Sequence, residues 1–186
     1  MTGHEAAGKL YVLRACEDAR KWVANQATYE QAWATCSRGD WMLWLVGKFA
    51  GEPWSDGRKP LVLAACECAR LALPYTKDPR VLKCIETTEA WTRGEATEKQ
   101  VRAADDAVGA AADAAYAAGD AAYAAGAAAG ADAAADAAYA AYAAYAAYAA
   151  ADAAYAAYAA AGSEVLKQCA DIVRKHFPVA PELGAI

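Results

Sequence analysis

Histidine is scarce in this chain: among 186 residues only His4 and His176 are present. No Ser-His-Asp set can be assembled from them. Zinc prefers paired spacings of cysteine and histidine. The tightest cysteine pair is Cys66-x-Cys68, whose thiols would point about 200° apart on a helix. No metal site and no cofactor are therefore expected. The glycine loops that cradle phosphates are missing as well, since there is no G-x-x-x-x-G-K-[ST] and no strand leading into a glycine-rich turn. Nothing alternates with period two for long enough to make a sheet. Long apolar runs are absent near the front. WMLWLVG at 41–47 is too short to cross a bilayer, and MTGHEAAGKLYVLRACEDAR holds no apolar stretch of signal-peptide length. The reading is a cytosolic protein without a membrane partner. Its cysteines (Cys16, Cys36, Cys66, Cys68, Cys84 and Cys169) are expected to be reduced and buried in helices as small apolar side chains.

Positive charge is absent from one long segment. Residues 103–161 hold seven Asp and no Lys, Arg or Glu, whereas residues 1–102 hold 15 Lys/Arg against 13 Asp/Glu. The net charge of −5 thus sits in that segment. Phosphates would be repelled there, which argues against nucleic acid as its partner.

What is present is repetition. VLRACEDAR at 12–20 returns as VLAACECAR at 62–70, and QAWATCSRGD, ending at Asp40, is echoed by EAWTRGE, ending at Glu95. A duplicated helix pair is a scaffold rather than a reaction. The expectation is an all-α protein in which 10–39 and 60–94 form equivalent helix hairpins. Three segments make up one folded unit: a helical repeat region with a Trp-rich core (1–102), an Ala/Tyr-rich helical segment (103–161), and a C-terminal helix and tail (162–186).

Local signals place the helices. The first is expected from Glu5 to Ala24, with Val12, Cys16, Ala19 and Val23 as its apolar stripe. Thr28 to Gln31 reads as a capping box. Gly39 is expected just past a helix end, with Asp40 capping the next helix, WMLWLVGKFA, which is apolar nearly all round and should be central. These roles account for Arg38-Gly39-Asp40 without an adhesion motif. Pro60 opens a helix that stops before Pro74, and Asp78-Pro79 opens another that ends at Gly94. Thr97 to Gln100 is a second capping box. Gly162 and Ser163 separate two helices, the latter ending before Pro178.

In the segment 103–161, 39 of 59 residues are Ala, and Tyr recurs mainly every third position. Alanine makes helix the default, and a step of three winds the rings backward around it, so no narrow coiled-coil seam results. Breaks are expected at Gly109, Gly119, Gly126 and Gly130. Tyr rings spread around an Ala helix suit packing on neighbours, on the repeats or on a second copy, and a homo-oligomer is expected. A low-complexity expansion of an Ala-Ala-Tyr unit is the bland alternative for the origin of the tract.

Few residues carry chemistry. Arg20 and Arg70 are repeat-equivalent, each three residues after a glutamate, Glu17 or Glu67. Same-helix ion pairs are the plain expectation, and two guanidiniums facing one groove are the functional one. Trp33 and Trp91 occupy equivalent positions and should be core. Trp54, in the loop GEPWSDGRKP with Arg58, reads as an exposed anchor. The binding set from sequence is Arg20, Arg70, Trp54 and Arg58. His176 follows Arg174 and Lys175 on a last helical turn, which explains its place. Asp105 and Asp106 read as solvated surface.

The blocks RACEDARKWV, QAWATCSRGDWMLWL, LVLAACECARLALP, IETTEAWTRGEAT and CADIVRKHFP together resemble an immunity-protein domain of bacterial and phage genomes. The resemblance covers nearly the whole chain, which departs from the usual middle in its regular Tyr. It implies a non-enzymatic protein that neutralises something and carries no catalytic residues with it. Two targets fit: a toxin or defence-effector protein, or a small nucleotide-type signal held by a counter-defence protein. A structural oligomer built on the Ala/Tyr helix is the third reading.

Overall fold

Capping chemistry sets most of the helix starts in the computed structural model, which describes residues 1–71, 73–75, 78–108 and 164–184. Thr2 and Glu5 form a reciprocal capping box that opens α1 (Gly3–Val12). The Thr28 hydroxyl accepts from the Gln31 amide at 3.1 Å and starts α3 (Tyr29–Thr35). Pro60 lies in the first turn of α5 (Lys59–Arg70), and Asp78 caps α6 (Pro79–Thr92), with Pro79 just inside it. Thr97 and Gln100 bond each other's backbone amides at the start of α7, which runs from 98 to the edge of the described stretch at 108. Between these lie α2 (Glu17–Ala24) and α4 (Gly39–Phe49). The last helix, α8, covers 164–176 and stops before Pro178. Among the described residues the one extended pairing is an isolated bridge between Thr2 and Thr28. The fold is all-α. The Ala/Tyr helices, their Gly breaks and the Gly162-Ser163 stop lie outside the described residues.

The single helix expected over Glu5 to Ala24 is in fact two. The Arg14 amide donates to the Tyr11 carbonyl and the Ala15 amide to the Leu10 carbonyl, both at 2.9 Å. Arg14 has φ +64°. This is a Schellman motif, with arginine in the left-handed position that glycine usually fills. The same motif ends α6, where Gly94 (φ +79°) donates to Trp91 and Glu95 to Ala90. The turn removes Val12 and Cys16 from the expected apolar stripe. Val12 is 59% exposed and Cys16 is the exposed residue just before α2, while Ala19 and Val23 remain buried.

The repeat in sequence is therefore not a repeat in setting. Cys66 is buried inside the continuous α5, whereas Cys16 sits outside any helix. The hairpins at 10–39 and 60–94 are not equivalent, because the residue after Val-Leu is Arg14 in a reversal in one copy and Ala64 in mid-helix in the other. The cysteine expectation also needs correction, since only Cys36, Cys66 and Cys169 are buried.

One core joins the front of the chain to its end. Ala6, Leu10, Val23, Trp33, Met42, Val46, Leu61, Ala170 and Val173 all belong to it. The α4 helix supplies Met42, Leu45 and Val46, in line with its central place in the sequence reading. Polar bonds fix the return of the C-terminal segment. Trp33 Nε1 donates to the Phe177 carbonyl at 3.1 Å, and Tyr29 Oη to the Pro181 carbonyl at 3.0 Å. Arg174 Nη1 donates to the Trp33 and Cys36 carbonyls at 3.2 and 2.7 Å, satisfying the open end of α3. Gly39 is the first residue of α4, not a terminator, and Asp40 lies in the first turn rather than at the cap. A Cβ at Gly39 would overlap Cys169 and the Ala170 amide, so close approach of α8 is what requires glycine.

Candidate functional site

The break between α1 and α2 opens a cleft of about 520 Å³ against α4. Its floor is core, including Leu10, Val23, Ala32, Met42 and Leu45. Its walls are Trp22 from α2 and Trp41 and Trp44 from α4, all half-buried. The Trp22 and Trp41 rings stand 6.3 Å apart, tilted by 57°. Trp33 contributes from below, already tied to Phe177. The volume falls within the range of small-molecule sites.

The charged lining consists of Arg14, Arg38 and Asp40. Arg38 Nε and Nη2 donate to the two Asp40 oxygens at 2.9 and 2.6 Å, and the guanidinium lies 4.3 Å from the Trp41 ring centre. Burial works against the Asp40 carboxylate, but the Arg38 fork outweighs it and holds the group below its ordinary value. With that pair self-neutralised, the lining keeps one net positive charge, on Arg14. A ligand cation gains little here, because Arg38 already covers the Trp41 face. A flat ring with an anionic substituent is the complementary shape and charge. Cys36 and Cys16 also line the cleft; burial pushes the Cys36 thiol up, away from the nucleophilic thiolate.

The sequence-based binding set is scattered. Arg20 lies 5.0 Å from the Tyr11 ring centre and donates Nε to the Ala15 carbonyl at 3.1 Å, bracing the Arg14 turn. Arg70 clamps Glu89 of α6 through two 2.7 Å bonds. Neither arginine pairs with its own-helix glutamate. Glu17 bonds Lys21 at 2.6 Å, and Glu67 reaches α8, with His176 Nε2 at 2.9 Å and Lys175 Nζ at 3.2 Å. Those contacts across to α5, not the helix end alone, account for His176. The structure does not bring the two arginines together on the cleft: each is engaged elsewhere, and neither is among its lining residues. Trp54 is half-buried, packed edge-on at 5.1 Å against Trp91 and covered by Arg102 at 5.1 Å. It braces its loop rather than standing exposed. Arg58 donates to the Gly51 carbonyl at 2.7 Å and borders an apolar groove between α4 and α5.

Sequence reasoning missed Arg14, Trp22, Trp41 and Trp44. The tryptophan spacing was visible, but a helix drawn through residue 14 gave them no cleft to line. Among the described residues, no cluster of three His, Cys, Asp or Glu is placed to hold a metal ion, and no helix is long and apolar enough to cross a membrane. Comparison with protein-family models, with curated proteins and with solved structures finds no match to this chain. The likeness to an immunity-protein domain rests on its sequence blocks alone.

Proposed function

We propose that this chain works by capture without turnover, and that the tryptophan-walled cleft withholds a small, flat, anionic molecule of nucleotide type. The observation that carries this reading is the cleft itself: about 520 Å³ with three tryptophan walls and an uncompensated arginine at the rim. An indole-rich lining suits a flat ring, and stacking on one aromatic face contributes about 1–3 kcal/mol. Support for capture over catalysis comes from the lining. It contains neither histidine, and its single carboxylate is engaged by Arg38. Sequestration of a signal also fits the neutralising role that the family resemblance implies.

The second reading is a protein inhibitor of a toxin or defence effector. One observation favours it: Tyr11 and Val12, just before the Arg14 turn, are 67% and 59% exposed. An effector loop laid across them would place a side chain in the same cleft.

The test is extraction of the purified protein under denaturing conditions, with mass spectrometry of any released small molecule. Calorimetric titration of wild type and Trp41→Ala with adenosine monophosphate accompanies it. Capture predicts a released or titratable ring-bearing anion, at least tenfold weaker binding in the variant, and ligand recovered unchanged. Consumption of the ligand would overturn the non-enzymatic reading. Silence in both experiments, with binding to an effector retained, would favour the protein inhibitor.

A further inference from the structure

Two non-glycine residues in the described chain have left-handed backbone, Arg14 at φ +64° and Trp54 at φ +65°. The conformation is unfavourable for any residue with a Cβ. Trp54 has a packing reason for it, because its ring is locked between Trp91 and Arg102. Arg14 has none. Its side chain is exposed and makes no hydrogen bond, ion pair or ring contact with any described residue. Yet it occupies the glycine position of a Schellman motif, and the chain does place glycine at that position in the other copy of the motif, Gly94. The cost of this turn is therefore not offset by any fold contact of the side chain that causes it.

The turn that core packing imposes also puts a cation at the cleft. Arg14 lines the rim of the tryptophan cleft, beside the neutralised Arg38–Asp40 pair. The neighbouring turn is braced from behind by Arg20 on the Ala15 carbonyl. The Arg14 guanidinium lines the cleft with no bond to a described residue, and its planar fork of donors matches a phosphoryl group. We infer that Arg14 is the anion-reading residue of this site, so that the cleft selects phosphorylated ring compounds (nucleotides over nucleosides) and keeps a strained arginine where glycine would stabilise the fold. This rests on the cleft being the binding site.

The experiment uses the full chain with two probes, adenosine and adenosine monophosphate, and reads tryptophan fluorescence and calorimetry. Wild type is expected to prefer the monophosphate. Arg14→Gly should weaken monophosphate binding about ten- to hundredfold and leave adenosine within about twofold. The same substitution should raise the melting temperature by about 2–4 °C, since glycine adopts the turn without strain. Arg14→Lys, which keeps the charge but not the fork, should fall between. If Arg14→Gly binds both probes as wild type does while Trp22→Ala and Trp44→Ala lose both, the cleft reading stands and the role of Arg14 is refuted. If neither the tryptophan nor the arginine variants alter binding, the cleft reading itself fails. A lower melting temperature for Arg14→Gly would refute the strain argument whatever the affinities.

Discussion

Arg70→Ala separates structure from binding at one of the two repeat-related arginines. Arg70 joins α5 to α6 through two 2.7 Å bonds to Glu89. The arginine side chain is 38% exposed and the glutamate 15%. The bonds from Arg70 hold the Glu89 carboxyl below its ordinary value, against the opposing pull of burial. Solvent on the arginine side screens the pair, so the full strength of a buried ion pair does not apply. A bidentate pair of this exposure contributes about 1–2 kcal/mol, part of it the cost of leaving Glu89 without a partner. With a urea dependence of about 1–3 kcal/mol per molar, Arg70→Ala should lower the unfolding midpoint by roughly 0.5–1 M. A double-mutant cycle with Glu89→Ala should return a coupling of about 1 kcal/mol. Occupancy of the tryptophan cleft should not change. An unaltered midpoint together with weakened ligand binding would refute this assignment and restore the expected role of Arg70 in holding an anion.

Three further outcomes follow from the same geometry. Glu67 and Glu89 are both held below their ordinary value of 4.5: Glu67 despite burial, by His176 and Lys175, and Glu89 by Arg70. A carboxyl depressed in the folded state stabilises it above the unfolded value and loses that contribution as pH falls through the folded value, so denaturation followed below about pH 4.5 should be less steep for Glu67→Gln and Glu89→Gln than for wild type. Gly39→Ala should destabilise by about 1–3 kcal/mol in thermal unfolding, because its Cβ meets the backbone of α8 rather than a movable side-chain end. If the tract 103–161 mediates self-association, light scattering at micromolar concentration should exceed the 19.4 kDa of one chain, and a monomer mass would remove that idea.

How much of this was legible depended on whether a signal was local. Caps that work within four residues were readable, and Thr28, Asp78-Pro79, Thr97-Gln100 and Gly94 act where the sequence puts them. Trp33 and Trp91 were readable as core, at 6% and 8% exposure. Pairings across the chain were not. Glu67 has Arg70 three residues on yet bonds Lys175 and His176, more than a hundred positions away, because α8 lies against that face of α5. Gly39 resembled a terminator because a glycine needed for close helix approach and one needed for a left-handed turn look alike in sequence. The cleft was invisible for a related reason. Its defining turn uses arginine where the readable signal is glycine, and hydrophobic periodicity runs on through it from Val12 to Val23.

That turn raises the question of what determines it, and Arg14→Ala gives the answer. The variant makes the first copy VLAACEDAR, close to VLAACECAR, which is continuous helix in α5. If local sequence decided the break, alanine, the best helix former, would fuse α1 with α2. Packing argues otherwise. Ala6 and Leu10 of α1 and Val23 of α2 reach one core only if the chain reverses between them, and Ala15 is itself buried at the reversal. Fusing the helices would expose several apolar side chains, each contributing about 1.5–3 kcal/mol when buried, against a left-handed cost of about 1–2 kcal/mol at one residue. The reversal wins. Alanine also has a Cβ, so it bears the same strain as arginine without the charge. Arg14→Ala should therefore keep the helix content by circular dichroism and the wild-type unfolding free energy within about 0.5 kcal/mol, while losing the preference for the phosphorylated probe. A rise in helicity with loss of cooperative unfolding would show instead that residue 14 alone decides the break, and that the cleft exists because of the arginine.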